Sequence, residues 1–187
     1  MRIRHVGGVL AVITVALLAA GCAVPTSPTT APTPTEHNAA DVAFAQGMVP
    51  HHQQALVMAA PAAQRAAVPE VRDLATQIGR EQGPEIEQMN QMLAAWGAPP
   101  PPAGSMGPMP MHGMMSAEQL QLLGAQSGPA FDRMFLQMMI EHHTGAVQMA
   151  QTEQAQGLDR RAVELAGAIV LAQQREIAEM QNLLARV

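Results

Sequence analysis

A histidine doublet occurs twice, as His51-His52 and His142-His143, each time inside the same framework of phenylalanine, methionine and alanine. Phe44 to Ala59 (FAQGMVPHHQQALVMA) set above Phe135 to Ala150 (FLQMMIEHHTGAVQMA) is identical at half its positions, at a constant offset of 91. The offset holds without a gap further along, where Leu74, Ala75, Ile78, Gln82, Glu85, Ile86, Met89 and Leu93 fall on Leu165, Ala166, Ile169, Gln173, Glu176, Ile177, Met180 and Leu184. Self-similarity at a fixed period means two copies of one structural unit.

Each copy reads as two helical segments joined by a short break. The first break is Ala60 to Pro69, punctuated by Pro61 and Pro69; the second is Gly157 to Asp159, where glycine suits a helix end and aspartate an N-cap. Two helical hairpins with apolar faces bury those faces against each other. The expected fold is all-α, a four-helix bundle of two duplicated hairpins with approximate two-fold symmetry. Repeat one is 39–96 and repeat two 116–187. The long central connection, 97–115, is rich in proline, glycine and methionine, and Ser116 and Gln119 open a short helix with a capping box. Pro50 and Pro84 lie within predicted helices and are expected to bend the first hairpin more than the second.

Tyrosine is absent and there are 15 methionines, so the core is expected to be alanine, leucine and methionine, which favours helix over sheet. The start of the chain, 1–21, carries Arg2 and Arg4 before an apolar run too short to span a bilayer, and reads as a signal peptide. It ends in Leu18-Ala19-Ala20-Gly21 before Cys22, which resembles a bacterial lipobox. Cys22 is then a lipidated N-terminus that anchors an exported protein to the cell membrane; the alternative is an ordinary secreted chain with an idle thiol. The Pro/Thr-rich stretch within 22–38 is a tether. Losing both arginines with the signal takes the net charge from −5 to about −7. With no lysine and dispersed arginines, nucleic acid is not an expected partner.

On a helix Phe44, Met48, His51, Ala55 and Met58 form one stripe, as do Phe135, Met139, His142, Ala146 and Met149. The first histidine of each doublet is expected at the centre of the buried face, opposite Glu85 or Glu176 of the partner segment. His52 and His143, about 100° round the helix, are expected on the flank, nearer a neighbouring helix or solvent. Glu85 and Glu176 interrupt apolar stripes and must pair, bind metal or take up a proton.

Two readings follow. In one, His51 and His142 are core histidines bonded to Glu85 and Glu176, and methionine fills gaps. In the other, imidazole and thioether hold a metal, with the glutamates as ligands or as acceptors that orient the rings. Thioether and imidazole without thiolate select Cu(I), or Ag(I) in its place. The connection adds Met106, Met109, Met111, His112, Met114 and Met115, either as a second place of copper capture or as cover for the end of the bundle. A di-iron site would need Glu-x-x-His motifs, which are missing, and no phosphate loop, nucleophile elbow or HExxH is present. Three functions therefore stand: copper sequestration or handover, a non-metal interaction module with an envelope protein as partner, and a metal-dependent oxidoreductase. The first is preferred, and no catalytic residue is expected.

The twice-repeated F-x-x-x-M-x-x-H-H-x-x-A-x-x-M-A, each followed by Q-x-x-E-I-x-x-M, resembles domain-of-unknown-function family 305 from Asp41 to about Leu184. Asp41 and Asp132, at the starts of the copies, belong to the same pattern. The resemblance implies a ferritin-like helical bundle, exported or lipid-anchored, with relatives associated with copper tolerance. By position it implies Met48, His51, His52 and Met58 as candidate ligands in one copy and Met139, His142, His143 and Met149 in the other, faced by Glu85, Met89, Glu176 and Met180. Gly47/Met138 and Pro50/Glu141 break the repeat, so the two sites are expected to differ.

Overall fold

A computed structural model describes residues 36–101 and 112–187. The signal segment, most of the tether, Cys22, Met106, Met109 and Met111 lie outside the described residues. Those described belong to one unit, Pro34–Val187.

All regular structure among the described residues is helical: α1 (Ala39–Ala59), α2 (Ala62–Arg65), α3 (Pro69–Ala95), α4 (Ala117–Ala125), α5 (Gly128–Gln156) and α6 (Arg160–Leu184). None is long and apolar enough to cross a membrane. Helix starts follow local chemistry. Asn38 caps α1 and its own N–H is accepted by Asp41, a reciprocal box that satisfies orphan donors of the first turn. Ser116 and Gln119 do the same for α4, as the sequence predicts, and Asp159 caps α6. The first break is not all irregular, since α2 forms a single turn inside it. Pro50, buried, and Pro84, exposed, sit within unbroken helices, where proline removes one hydrogen bond from the ladder.

Helix α1 packs along α3 and α5 along α6, and the two pairs meet mainly through α1 and α5, with a narrower α3–α6 seam. The core is in two parts. One holds Phe44, Met48 and Val49 of α1 with Met89, Met92 and Leu93 of α3, Ala146 and Met149 of α5 and Leu165 and Ile169 of α6. The other holds Ala55 and Met58 of α1 with Leu74 and Ile78 of α3, Phe131, Phe135 and Met139 of α5 and Met180 and Leu183 of α6. The start of α1 thus shares a core with the end of α5, so the two helices run antiparallel. Between the parts, every long helix contributes polar residues at the same level: His51 and His52, Gln82 and Glu85, His142 and His143, Gln173 and Glu176.

Two buried carboxylates tie the pairs together. Asp41 accepts hydrogen bonds from the backbone N–H groups of Leu158 and Asp159 at 3.0 and 2.9 Å. Asp132 accepts from those of Ala67 and Val68 at 3.1 and 3.0 Å. Both the carboxylates and their donors differ by 91 in number, and each bond crosses from one pair to the other. The aspartates shared by the sequence pattern are therefore turn clamps, each satisfying donors that would otherwise be buried and unpaired.

Candidate metal centre

The apolar stripes of α1 and α5 carry the histidines into the polar layer. His51 and His142 are 0% and 1% exposed. They face each other across the α1–α5 contact, with ring centroids 3.8 Å apart and ring planes tilted by 41°. His52 and His143 are equally buried, so of the two flanking environments open to them each takes the one against a neighbouring helix. His52 Nε2 lies 2.8 Å from Glu85 Oε2 and His143 Nε2 lies 2.8 Å from Glu176 Oε2.

This corrects the expected pairing. The glutamates bond to the second histidine of each doublet, and the first meets its counterpart in the other helix pair. The reason is that α1 and α5 each pack mainly against two long helices, one within their own pair and one in the other. The stripe containing His51 turns to α5, and a rotation of about 100° brings the next residue round to α3. A single buried face, as read from periodicity, does not distinguish these two sides.

The methionines are also regrouped. Met48 and Met89 share a core part with Met149, while Met58 shares the other with Met139 and Met180. Each set of three draws on both copies. The sets lie on either side of the histidine layer. Gly47 makes room for one of them, because a Cβ there would lie 2.9 Å from Met149 Cε.

Among the described residues, buried side-chain atoms without a hydrogen-bond partner gather in this layer: Nδ1 of His51, His52 and His143, both amide atoms of Gln82, Oε1 of Gln173 and Oε1 of Glu176. Such a concentration is unusual, since buried polar atoms are nearly always paired. Burial, with the nearby His52, depresses the His51 pKa to about 3. Burial and the facing His51 hold His142 well below its ordinary value. Both rings are neutral, with lone pairs that no proton occupies. On the α3–α6 side, burial and the nearby Glu176 raise Glu81. No three histidine, cysteine, aspartate or glutamate side chains converge as a metal-holding group among the described residues.

The described end of the connection closes over this layer. His112 exposes its side chain and turns its carbonyl to His51, whose Nε2–H donates to it at 3.3 Å. Met114 is half-buried, and Met115 is buried in the apolar core with Phe131 and Phe135. Gln54 holds the backbone of Met115 at both ends, donating to its carbonyl at 2.9 Å and accepting from its N–H at 2.7 Å.

A second polar cluster, missed in the sequence, lies at the far end of α5. Glu153 is buried beside Asp41, and burial with the Asp41 contact pushes its pKa up to about 8. It holds a proton at neutral pH. Burial alone would raise Asp41, but bonds from Glu153 and from the N–H groups of Asn38, Asp159 and Leu158 outweigh it and hold Asp41 below the usual range. Asp159 is held lower still by Arg161 and also accepts from Trp96 Nε1 at 2.9 Å. Glu153 stands four residues before the helix-ending Gly157, which is the one signal that could have drawn attention to it.

Solved structures resemble this arrangement over most of the chain. A DUF305 fragment from Deinococcus radiodurans is 35% identical with a TM-score of 0.71, covering 80% of this chain and 98% of its own. A DUF305 protein from Streptomyces coelicolor, described as a predicted secreted protein, is 34% identical with a TM-score of 0.73, covering 79% and 93%. CopM in its Cu(I)-bound form is 33% identical with a TM-score of 0.67, covering 78% and 96%, and its Cu(II)-bound and Ag-bound forms match as well. No curated protein matches. The model of the domain of unknown function DUF305 matches residues 41–184, and the chain belongs to that family.

Proposed function

We propose that the chain binds Cu(I), or Ag(I) in its place, in the layer between α1 and α5, and that it sequesters or hands over copper outside the cytoplasm. The observation that carries this reading is the layer of unpaired buried polar atoms around the His51–His142 pair, with the candidate methionines Met48, Met89 and Met149 on one side and Met58, Met139 and Met180 on the other. Thioether is a soft donor and neutral imidazole a borderline one; together they suit Cu(I) and are poor ligands for magnesium or calcium. Bonds from Glu85 and Glu176 would orient His52 and His143 as carboxylates do beside metal-bound histidines. The binding of Cu(I), Cu(II) and silver by CopM supports the same reading.

The proposed architecture is a ferritin-like four-helix bundle of two duplicated hairpins, supported by the paired Asp41 and Asp132 clamps and the paired His–Glu contacts. The proposed location is the outer face of the cell membrane. Its support is the signal-like start of the sequence, the lipobox resemblance at Cys22 and the tether. Met106, Met109, Met111, His112 and Met114 are proposed as an accessory capture segment.

One observation favours the competing reading, a polar layer that only fixes helix packing: two of the four histidines are already paired with glutamate. Anaerobic Cu(I) titration against a chelating competitor separates the two. Copper binding tighter than about micromolar that is lost when His51, His52, His142 and His143 are all replaced is the expected result. Affinity unchanged by those replacements leaves only the packing role.

A further inference from the structure

The repeat fails at one pair of positions that bears directly on the histidines. Gln54 and Gly145 are equivalents at the offset of 91, and the chain from His112 to Met115 is seated by both. Gln54 holds Met115 from the α1 side through two hydrogen bonds. Gly145 receives the strap on the α5 side, where a Cβ would lie 1.7 Å from the carbonyl oxygen of His112. Gly113, with φ of +81°, lies so close to α5 that its own Cβ would come within 2.5 Å of the Glu141 carbonyl oxygen. Only glycine satisfies both demands there. Met115, buried in the core, and the capping box of α4 immediately after it fix the far end of the strap.

We propose that the His112–Met115 strap is a latch that closes the histidine layer and sets the tautomer of His51, with Gln54 and Gly145 as its positioning residues. The His112 carbonyl accepts only from an N–H, so it places the proton of the neutral His51 ring on Nε2. Nδ1 is left as the bare lone pair, and it is the ring atom without a partner. A ligand held through Nδ1 is thereby oriented by a bond on the opposite edge of the ring. Release of the strap opens the layer and removes that orientation. This assignment rests on the proposed metal reading for its use, though not for its geometry.

The test uses the full chain with Gln54→Ala and Gly145→Ala. The first removes both latch bonds; the second evicts the strap from the opposite helix while placing a better helix former in α5. Three readouts apply: exchange of the His51 ring C2 hydrogen with deuterium, the ¹⁵N signature of its tautomer, and the rate of Ag(I) uptake. Both variants are expected to speed exchange and uptake by about 10- to 30-fold, the effect of two ordinary hydrogen bonds on an opening equilibrium. Helicity and silver stoichiometry stay as in the parent, and His51 loses its preference for the Nε2–H form. Exchange and tautomer unchanged in both variants would overturn the proposal. Failure of the parent to bind Ag(I) would remove the metal reading instead, with exchange and tautomer still deciding whether the strap is a latch.

Discussion

In the α1–α3 pair, His52 meets a glutamate, Glu85, whose side chain is still 18% exposed; in the α5–α6 pair, His143 meets Glu176, at 3%. The bond lengths are the same, 2.8 Å in both. What differs is what covers them and what sits around them. The first pair supplies Gln54 to hold the strap, and the second supplies Gly145 to receive it. The second also carries Glu153 and Asp159 around the Asp41 clamp, where the first has Ala62 and Val68 at the equivalent positions. Interior geometry follows the repeat where the copies face each other, and diverges where each meets something the other does not.

The largest expected effect comes from breaking the symmetric part. If His51 and His142 serve one shared layer, replacing either with alanine should weaken Cu(I) binding by more than about 100-fold, beyond what loss of an orienting partner alone costs. The two variants should behave alike in a competition titration. Two independent sites would instead leave each single variant with one site of parental affinity.

Next come the clamps. Asp132→Ala leaves the N–H groups of Ala67 and Val68 without their acceptor and should cost about 3–5 kcal/mol, since bonds to a carboxylate are the stronger kind. Asp41→Ala should cost at least as much, because Asp41 also accepts from Asn38. Urea denaturation of both variants checks the order. Equal and small losses would mean that the turns do not depend on the carboxylates.

A smaller effect distinguishes the pairs by pH. Glu153 titrates at about 8 in the folded protein against about 4.5 for the free side chain. The folded state therefore keeps a proton that the unfolded state releases, and this contribution to stability is full below about 4.5 and is lost as pH rises through 8. Glu153→Gln keeps an N–H facing Asp41 and does not titrate, so it should flatten the decline in melting temperature between those values. A decline of the same slope in the variant would place its origin elsewhere.

The smallest effect is at Gly47. Alanine there gains helix propensity of about 1 kcal/mol and displaces only the flexible end of Met149, so stability should change little. Cu(I) affinity should fall several-fold if the Met149 sulfur is a donor, and stay constant if that methionine only packs.

Much of this was legible in the chain. Helical stripes are a local property, and the burial of Phe44, Met48, His51, Ala55 and Met58 follows from spacing alone. The Ser116 and Asp159 caps are local in the same way. Which neighbour each side of a helix faces is a tertiary property. That is why His51 was expected opposite Glu85 and was found opposite His142, and why the methionine sets proved to mix the copies. The strap left a faint mark, the change from His-His-Gln-Gln to His-His-Thr-Gly. Its meaning depends on a segment about 60 residues after Gln54 in the chain returning to α1, which no periodicity encodes.

The most direct test of the central claim is anomalous scattering from crystals loaded with silver. A peak between α1 and α5, within bonding reach of His51 or His142 and of a methionine sulfur from the flanking sets, is the predicted result. Silver confined to surface methionines, with the histidine layer unchanged, would contradict it.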